Sequence, residues 1–317
     1  MTKSMNIYKP FEKDVPRGGV ATLGFFDGVH LGHKAIFKRV LDEAEKNNNA
    51  PFVATLWPHP RIVLGKNPET LLLINTLEEK TSLIAKSGFS HFVVIPFSEQ
   101  LASLSAEEFF KTYFVEWLGI STLIVGYDHR IGRNGSGDFE TMAMLGKKYG
   151  INVEKIEAQT YDHVSISSTK IRQLILQGSI RLANEYLGYS YFISGIVEKG
   201  FQLGRTIGFP TANIKVADAH KLVPADGVYA VKVSVDGLEL NGMLNIGYRP
   251  TISKDQHKTI EVNIFDFDST IYGSQLSIKF IDRIRDEMKF SGVEELTQQL
   301  KADREKAKQL LISNPLK

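Results

Sequence analysis

Apolar and polar residues alternate in two different ways along this chain. In the first half, five short apolar runs are separated by segments whose apolar residues recur three and four positions apart, as in amphipathic helices. The apolar runs predict strands at Val20–Phe26, Phe52–Trp57, Phe92–Phe97, Leu123–Tyr127 and Asn152–Ile156. Strands that alternate with helices predict a parallel sheet covered by helices on both faces, with ligands at the carboxyl ends of the strands.

Local signals place some of the helices between these strands. Thr76 with Glu79, and Ser105 with Glu108, have the spacing of capping boxes, and Gly119 is expected to end the second of these helices. The helix after the first strand is predicted from apolar residues at helical spacing: Ile36, Phe37, Val40, Leu41 and Ala44.

After about residue 187 the period of the pattern changes to two. Val228–Val235 alternates and is followed by the turn Asp236-Gly237, and the alternation returns at Ile260–Phe267 and Gln275–Phe280. Many short strands with glycine turns predict an antiparallel barrel or sandwich. We therefore expect two domains, residues 1–186 and 187–317.

A final helix is predicted to begin at Ser291, with Glu294 completing a capping box. Its apolar residues fall near one face: Leu296, Leu300, Ala307, Leu310 and Leu311.

Composition narrows the class of protein. A chain of 317 residues exceeds what one hydrophobic core usually fills, and the 43% hydrophobic content is ordinary for a globular protein. A formal charge of +2 gives no support for a nucleic-acid partner. The absence of cysteine rules out disulfides and thiolate chemistry, and no long apolar run suggests a membrane segment or signal peptide. We expect a cytoplasmic protein, either a monomer or a weak homo-oligomer.

The most informative stretch is Ala21–Lys34, where an apolar run ends in Asp27-Gly28 and two histidines follow, His30 and His33. A strand that passes through a glycine turn into a helix leaves free backbone N–H groups at the helix start, and the helix dipole favours an anion there. Histidines three apart project from one side of a helix, where they can donate hydrogen bonds to phosphate oxygens. An ordinary polar helix start is the alternative.

Two further segments follow predicted strands in the first domain. Pro58 and Pro60 bracket a histidine and would make a rigid loop, which is either a pocket wall or a plain turn. Asp128 ends the fourth strand and could bind a ribose hydroxyl or an adenine edge, or simply be solvated. The glycine-rich loop 132–138 could close over a nucleotide or remain a surface loop.

The stretch Ile166–Arg172 carries consecutive hydroxyl residues before an apolar helix. Ser167 and Ser168 can cap that helix, which is the purely structural explanation. Arg172 lies one turn further and could reach a triphosphate held at the helix start.

In the second domain, Gly204–Asn213 combines glycines, a proline and two short oxygen-bearing side chains. Thr211 and Asn213 are two apart, so in an extended segment they face the same way and could bind Mg²⁺ on ATP phosphates. A structural Pro-Thr turn is the alternative. Glu261 lies on a predicted strand, where alternation alone makes it an exposed residue.

The motifs of the first domain resemble those of nucleotidylyltransferases related to class I aminoacyl-tRNA synthetases, and the string Phe25–His30 resembles FAD synthetase in particular. The resemblance implies catalytic roles for His30, His33 and Arg172, which together with the helix start would supply positive potential. It places Pro58 and Pro60 beside the flavin. Asp128 matches the family pattern, whereas His129 departs from the aromatic residue usual there. It implies ATP or phosphate contacts at Gly24, Phe26, Asp27, Gly28, Asp128, Ser168 and Thr169.

The motifs of the second domain resemble the riboflavin kinase signature, including the pair Tyr272-Gly273. That resemblance implies a barrel, with Glu261 as the base that takes the proton of the ribityl hydroxyl. It implies Mg²⁺ ligands at Thr211 and Asn213 and a flavin contact at Arg285. The expected contacts to ATP are Gly204, Arg205 and Gly208.

Taken together, these resemblances cover nearly the whole chain and keep their order. They imply an α/β Rossmann-like nucleotidylyltransferase domain followed by an antiparallel β-barrel kinase domain with a C-terminal helix. The implied activity converts riboflavin to FMN and FMN to FAD with ATP and Mg²⁺. The alternatives are a flavin or nucleotide sensor without turnover, and a nucleotidylyltransferase acting on phosphopantetheine or nicotinamide mononucleotide.

Overall fold

The computed structural model describes residues 5–65, 70–157, 160–161, 164–199, 203–249 and 257–313. The chain forms two compact units, Met1–Ser168 and Thr169–Lys317. Each unit has a core and a fold of its own.

The first unit contains a six-stranded parallel sheet with the strand order β1-β4-β3-β2-β5-β6. Its strands are β1 (Asn6–Tyr8), β2 (Val20–Leu23), β3 (Pro51–Trp57), β4 (His91–Pro96), β5 (Thr122–Gly126) and β6 (Asn152–Ile156). The chain runs outward from β2 to β3 and β4 and then returns to β5 beside β2. The order of strands thus reverses between β2 and β5, which is where open α/β sheets bind ligands.

Helices connect these strands, and both predicted capping boxes are present, Thr76 with Glu79 and Ser105 with Glu108. The α-helices are α1 (Leu31–Lys46), α2 (Pro60–Leu64), α3 (Leu77–Lys86), α4 (Glu99–Ser103), α5 (Ala106–Phe109) and α6 (Phe139–Tyr149). Helix α5 continues as a π-helical segment, Phe110–Trp117, and Gly119 then takes a φ of +54°. A hairpin of β7 (Thr160–Tyr161) and β8 (Val164–Ser165) follows β6.

The central strands β2, β3 and β5 are buried on both faces, because alternate strand residues pack on opposite sides of the sheet. On one face, Leu23, Ala54 and Val125 join an apolar core with Phe110 and Phe114 of the π-helical segment. Helix α1 packs on β2, β3 and β5 through its own buried residues, Phe37, Val40 and Ala44.

The second unit is a closed six-stranded antiparallel barrel with the strand order β10-β13-β12-β11-β14-β9. The strands are β9 (Phe192–Glu198), β10 (Ala212–Lys215), β11 (Gly227–Val235), β12 (Leu238–Arg249), β13 (His257–Ile264) and β14 (Gln275–Arg285). The pairing of β9 with β10 closes the barrel. The predicted turn joins β11 to β12 with positive φ at both Asp236 and Gly237, as in a two-residue hairpin turn.

Helices accompany the barrel in the second unit, which takes in all of α7 except its first residue: α7 (Ser168–Leu176), α8 (Ile180–Leu187), α9 (Leu203–Thr206) and α10 (Val293–Ser313). Ala307 and Leu311 of α10 pack against Phe209, Met243 and Ile281. The predicted partner of Ser291 was wrong: its N–H and hydroxyl both donate to Glu295, at 2.8 and 2.7 Å, and not to Glu294. Since α10 begins at Val293, the third helical residue is Glu295.

Candidate active sites

The turn after β2 has an unusual backbone conformation. Phe26, Gly28 and Val29 all have positive φ, at +47°, +87° and +37°. Only glycine takes such values without strain, so the surrounding contacts must hold this turn in shape. A side chain at Gly24 would overlap the Phe26 ring, since an added Cβ would lie 2.8 Å from it.

The two histidines of the signature lie at the start of α1. His30 is the N-cap residue, and its Nδ1 accepts a hydrogen bond from the backbone N–H of His33 at 3.4 Å. The two rings stack with their centroids 3.6 Å apart. Gly32 leaves room for this arrangement, because an added Cβ would lie 3.1 Å from the His30 ring.

Burial makes both imidazoles neutral at neutral pH. It lowers the pKa of His30 to about 4, against an opposing effect of the Asp27 carboxylate. It lowers the pKa of His33 well below the usual 6.5, and His30 and Lys80 add to the effect. Because Nδ1 of His30 is an acceptor, its proton lies on Nε2, which can donate to a phosphate oxygen. At neutral pH the two imidazoles can therefore donate hydrogen bonds but carry no net charge, whereas the sequence analysis expected them to add positive potential.

Several hydrogen bonds fix the turn from outside. The Asp27 carboxylate accepts from the backbone N–H groups of Ile74 and Asn75, at 2.9 and 3.2 Å. The Ser168 hydroxyl donates to the backbone carbonyl of Asp27 at 2.8 Å. Asp27 and Ser168, both predicted from the motifs, therefore shape the turn at the start of α1.

An apolar cavity of about 300 Å³ lies beside this turn. Gly24, Phe25, Pro60 and His129 border it, whereas Pro58 is exposed and is not among its lining residues. The rest of its apolar wall comes from Leu23, Leu56, Leu64, Phe97, Leu101, Ala102, Phe109 and Ile131. A volume of this size suits a flat aromatic ring system.

The other residues predicted for this site differ in exposure. Asp128 is exposed just beyond the end of β5, next to the switch point. Thr169 is exposed and Arg172 half-buried on α7, and both belong to the second unit.

In the barrel, three strands bring polar side chains into one row. The pairing places Asn213 of β10 opposite Glu261 of β13, and Glu261 opposite Asn245 of β12. The Thr211 hydroxyl donates to the Glu261 carboxylate at 3.2 Å. Hydroxyl, amide and carboxylate oxygens are the hard ligands that Mg²⁺ prefers, so this row is chemically suited to a magnesium–nucleotide complex.

A second cavity of about 300 Å³ opens over this row. Thr211, Asn213, Glu261, Arg285 and Gly204 all line it. Its apolar wall comes from Ile207, Phe209, Met243, Met288, Phe290, Leu296 and Leu300. The structure thus gathers residues that lie up to 96 positions apart in the chain, from Gly204 to Leu300.

The remaining predicted residues differ in their surroundings. Gly204 must be glycine, because an added Cβ would lie 2.2 Å from the Phe209 carbonyl oxygen. Gly208 is exposed with a φ of +81°, and Tyr272 borders a neighbouring groove with Thr211. The side chain of Arg205 lies outside the described residues.

Arg285 lines the cavity, but its guanidinium is held by other groups. Its Nε and Nη2 donate to the Asp303 carboxylate at 2.8 to 3.1 Å, and Nη1 donates to the Asp286 carbonyl. Asp303 is only 1% exposed and also accepts from Gln299 of α10. A flavin contact at Arg285 stays a prediction.

Sequence reasoning missed three polar residues at these sites: Lys80 beneath the β2 turn, and Asn245 and Asn263 at the barrel cavity. Asn263 is 2% exposed, donates to the Pro210 carbonyl at 2.7 Å, and borders the cavity. Asn263 could have been predicted from the alternation of the strand, since residues two apart lie on the same strand face and Glu261 was already a candidate. No comparable signal marked Lys80.

In a comparison with known proteins, each half of the chain matches a different family model. A family model described as FAD synthetase matches residues 12–170, and one described as riboflavin kinase matches residues 187–311. No helix within the described residues combines the length and apolar character needed to cross a membrane.

Curated relatives match over almost their full length. The bifunctional riboflavin kinase/FMN adenylyltransferase of Bacillus subtilis is 40% identical over 96% of this chain and 97% of its own. The proteins of the same name from Listeria monocytogenes and Escherichia coli K12 are 41% and 34% identical, each over 90% of both chains.

A solved structure has the same fold. A crystal structure described as a macrolide-efflux protein from Streptococcus pneumoniae has a TM-score of 0.87 and 34% identity, and the match covers 95% of this chain and 98% of that one. With two family models in order along the chain and relatives of one name matched end to end, this chain belongs to the bifunctional riboflavin kinase/FMN adenylyltransferase family.

Proposed function

We propose that this chain phosphorylates riboflavin to FMN in its barrel and adenylylates FMN to FAD at its parallel sheet. The observation that carries the proposal is that each unit has a cavity of about 300 Å³ bordered by residues predicted from its motifs. We assign the two activities to residues 187–317 and 1–186, respectively.

In the barrel, Glu261 accepts the proton of the terminal ribityl hydroxyl. The hydroxyl oxygen then forms a bond to the γ-phosphorus of ATP as the bond to ADP breaks. Thr211 and Asn213 would hold Mg²⁺, whose charge neutralisation on the phosphates is the chemistry that the ion supplies. The contact between Thr211 and Glu261 supports this arrangement, because it brings a proposed metal ligand next to the proposed base.

At the sheet, an oxygen of the FMN phosphate attacks the α-phosphorus of a second ATP, and pyrophosphate leaves. His30 and His33 donate hydrogen bonds to the phosphates, which the N–H groups of the α1 start also attract. Ser168, whose hydroxyl bonds to the Asp27 carbonyl, would complete this phosphate site, and the motif implies further phosphate contacts for Arg172 and Thr169.

The remaining contacts of the adenylyl-transfer site follow from the shape of the first unit. We place the flavin ring in the apolar cavity bordered by Pro60, with Pro58 at its margin. Asp128, just beyond β5, would contact the ribose or the adenine. No covalent enzyme intermediate is needed, since both reactions depend on in-line positioning and on stabilising negative charge.

The direct test is to incubate the purified protein with riboflavin, ATP and Mg²⁺ and to separate the flavins. We expect FMN to accumulate first and FAD to follow. Product that stops at FMN would mean that the first unit is not an adenylyltransferase. A protein that binds riboflavin but leaves it unchanged would instead be the sensor, and the proposal would be wrong.

A further inference from the structure

We propose that Lys80 is a positioning residue of the adenylyl-transfer site, which fixes the turn after β2 and provides a fixed positive charge beneath the triphosphate. The inference rests on the proposed function of the first unit.

The environment of Lys80 is unusual for a lysine. Its side chain lies on α3 and is only 3% exposed. Its Nζ donates a hydrogen bond to the backbone carbonyl of Phe25 at 2.6 Å and lies 5.0 Å from the centroid of the Trp57 ring. Within the described residues, Lys80 forms no ion pair. Lysines are almost never buried this deeply without a carboxylate partner.

The hydrogen bond of Lys80 reaches the strained turn directly. Phe25 precedes the run of positive φ values that begins at Phe26, and its carbonyl also accepts from the Thr55 hydroxyl at 3.4 Å. Asp27 anchors the same turn from its other side through the N–H groups of Ile74 and Asn75. Lys80 is therefore one of the contacts that keep the turn, and with it the start of α1, in its conformation.

The charge of Lys80 matters as much as its hydrogen bond. The titratable groups facing it are Asp27, whose carboxylate favours its protonated form, and the imidazole of His33, whose own protonation Lys80 opposes. Burial lowers the pKa of Lys80 to about 8, so the ammonium form prevails at pH 7. Because His30 and His33 are neutral, the positive charge of the Lys80 ammonium group is one that the two histidines do not provide. A bound triphosphate would offset the cost of burying this cation.

The test compares Lys80→Met with Lys86→Met, a matched control at an exposed position of the same helix. ATP and adenosine are each titrated into the full chain without flavin, and binding is followed by tryptophan fluorescence, because both tryptophans lie in the first unit and do not report on ATP in the barrel. We expect Lys80→Met to weaken ATP binding by about 10- to 100-fold, the effect of one buried charge-assisted contact, and to change adenosine binding less than threefold. Lys80→Arg should restore most of the affinity for ATP, and Lys86→Met should leave both affinities unchanged.

Two results would overturn the inference: unchanged ATP binding in Lys80→Met, or an equal loss for ATP and adenosine, which would mean a purely structural role. The thermal midpoint from tryptophan fluorescence checks folding, since both tryptophans, Trp57 and Trp117, lie in the first unit. If Lys80→Met does not fold, the test rests on Lys80→Arg, which keeps the positive charge. If this variant loses its affinity for ATP while it still binds adenosine, the result would contradict a role that depends on charge. Failure of the wild type to form FAD would contradict the proposed function instead.

Discussion

The imidazoles of His30 and His129 are shielded from water and neutral at neutral pH. Burial lowers the pKa of each to about 4. Nε2 of His129 is closed to solvent and has no hydrogen-bond partner among the described residues, and the residue borders the apolar cavity. Between pH 6.5 and 4 the unfolded chain therefore binds more protons than the folded unit does.

The sign of this difference predicts the acid stability of the first unit. Where the unfolded state binds more protons, the free energy of unfolding falls as the pH falls. Each histidine should remove up to about 3 kcal/mol of stability between pH 6.5 and 4, at about 1.4 kcal/mol per pKa unit. His129→Phe, which places an aromatic residue there, should make this loss shallower. Urea unfolding followed by tryptophan fluorescence would measure it, and an unchanged slope would contradict the pKa assignment.

At the scale of single residues, the sequence predicted which residue types form the site better than it predicted how deeply those residues are buried. His30 and His33 were recognisable from their spacing after a glycine turn, but their loss of charge depends on burial by residues distant in the chain. Nothing in the sequence marked Lys80 as a candidate. It lies on a helix without a functional motif, and the carbonyl that it contacts, that of Phe25, is 55 positions earlier in the chain. Backbone strain at Phe26 and Val29 likewise has no local signature, since these residues rarely adopt positive φ.

At the scale of elements, patterns located most strands and helices but missed some ends. The strand predicted at Val20–Phe26 ends at Leu23, because the backbone from Gly24 onward enters the strained turn. The capping partner predicted for Ser291, Glu294, was wrong by one position, because the sequence analysis placed the start of α10 too early. Strand β1 was not predicted at all, since its three residues depend on pairing with β4.

The pairing of Arg285 with Asp303 gives a prediction at the scale of elements, because it joins β14 to α10. In Arg285→Met, the buried Asp303 carboxylate keeps Gln299 as its only side-chain donor among the described residues, and uncompensated buried charge is costly. We expect the free energy of opening α10 to fall by about 3 kcal/mol. Hydrogen exchange of amides 293–313 would measure the change.

A matched control for this prediction lies on the same helix. The pair Glu305–Lys308 is exposed, so Glu305→Gln should alter the exchange of α10 by less than about 0.5 kcal/mol. Equal protection in Arg285→Met and in the wild type would mean that the ion pair does not hold α10 to the barrel.

At the scale of the whole molecule, the spacing of apolar residues changes from that of helices to the alternation of strands. This change distinguished the two folds in the sequence. It did not decide between a barrel and a sandwich, because closure depends on β9 pairing with β10. The resemblance to riboflavin kinases implied the barrel, and the structure confirms it. The boundary at residue 187, the Mg²⁺ requirement, the assembly state and the cytoplasmic location stay predictions.

The central claim is that two separate sites carry two separate reactions, and a reciprocal pair of substitutions tests it most directly. His30→Asn keeps an N-cap residue but removes the imidazole, and Glu261→Gln keeps the shape of the side chain but removes the base. Each variant is given riboflavin or FMN with ATP and Mg²⁺, and the flavins are separated over time. We expect His30→Asn to lose FAD formation by about 10²-fold while still making FMN, and Glu261→Gln to make FAD only from supplied FMN. Loss of both activities in either correctly folded variant would contradict the claim.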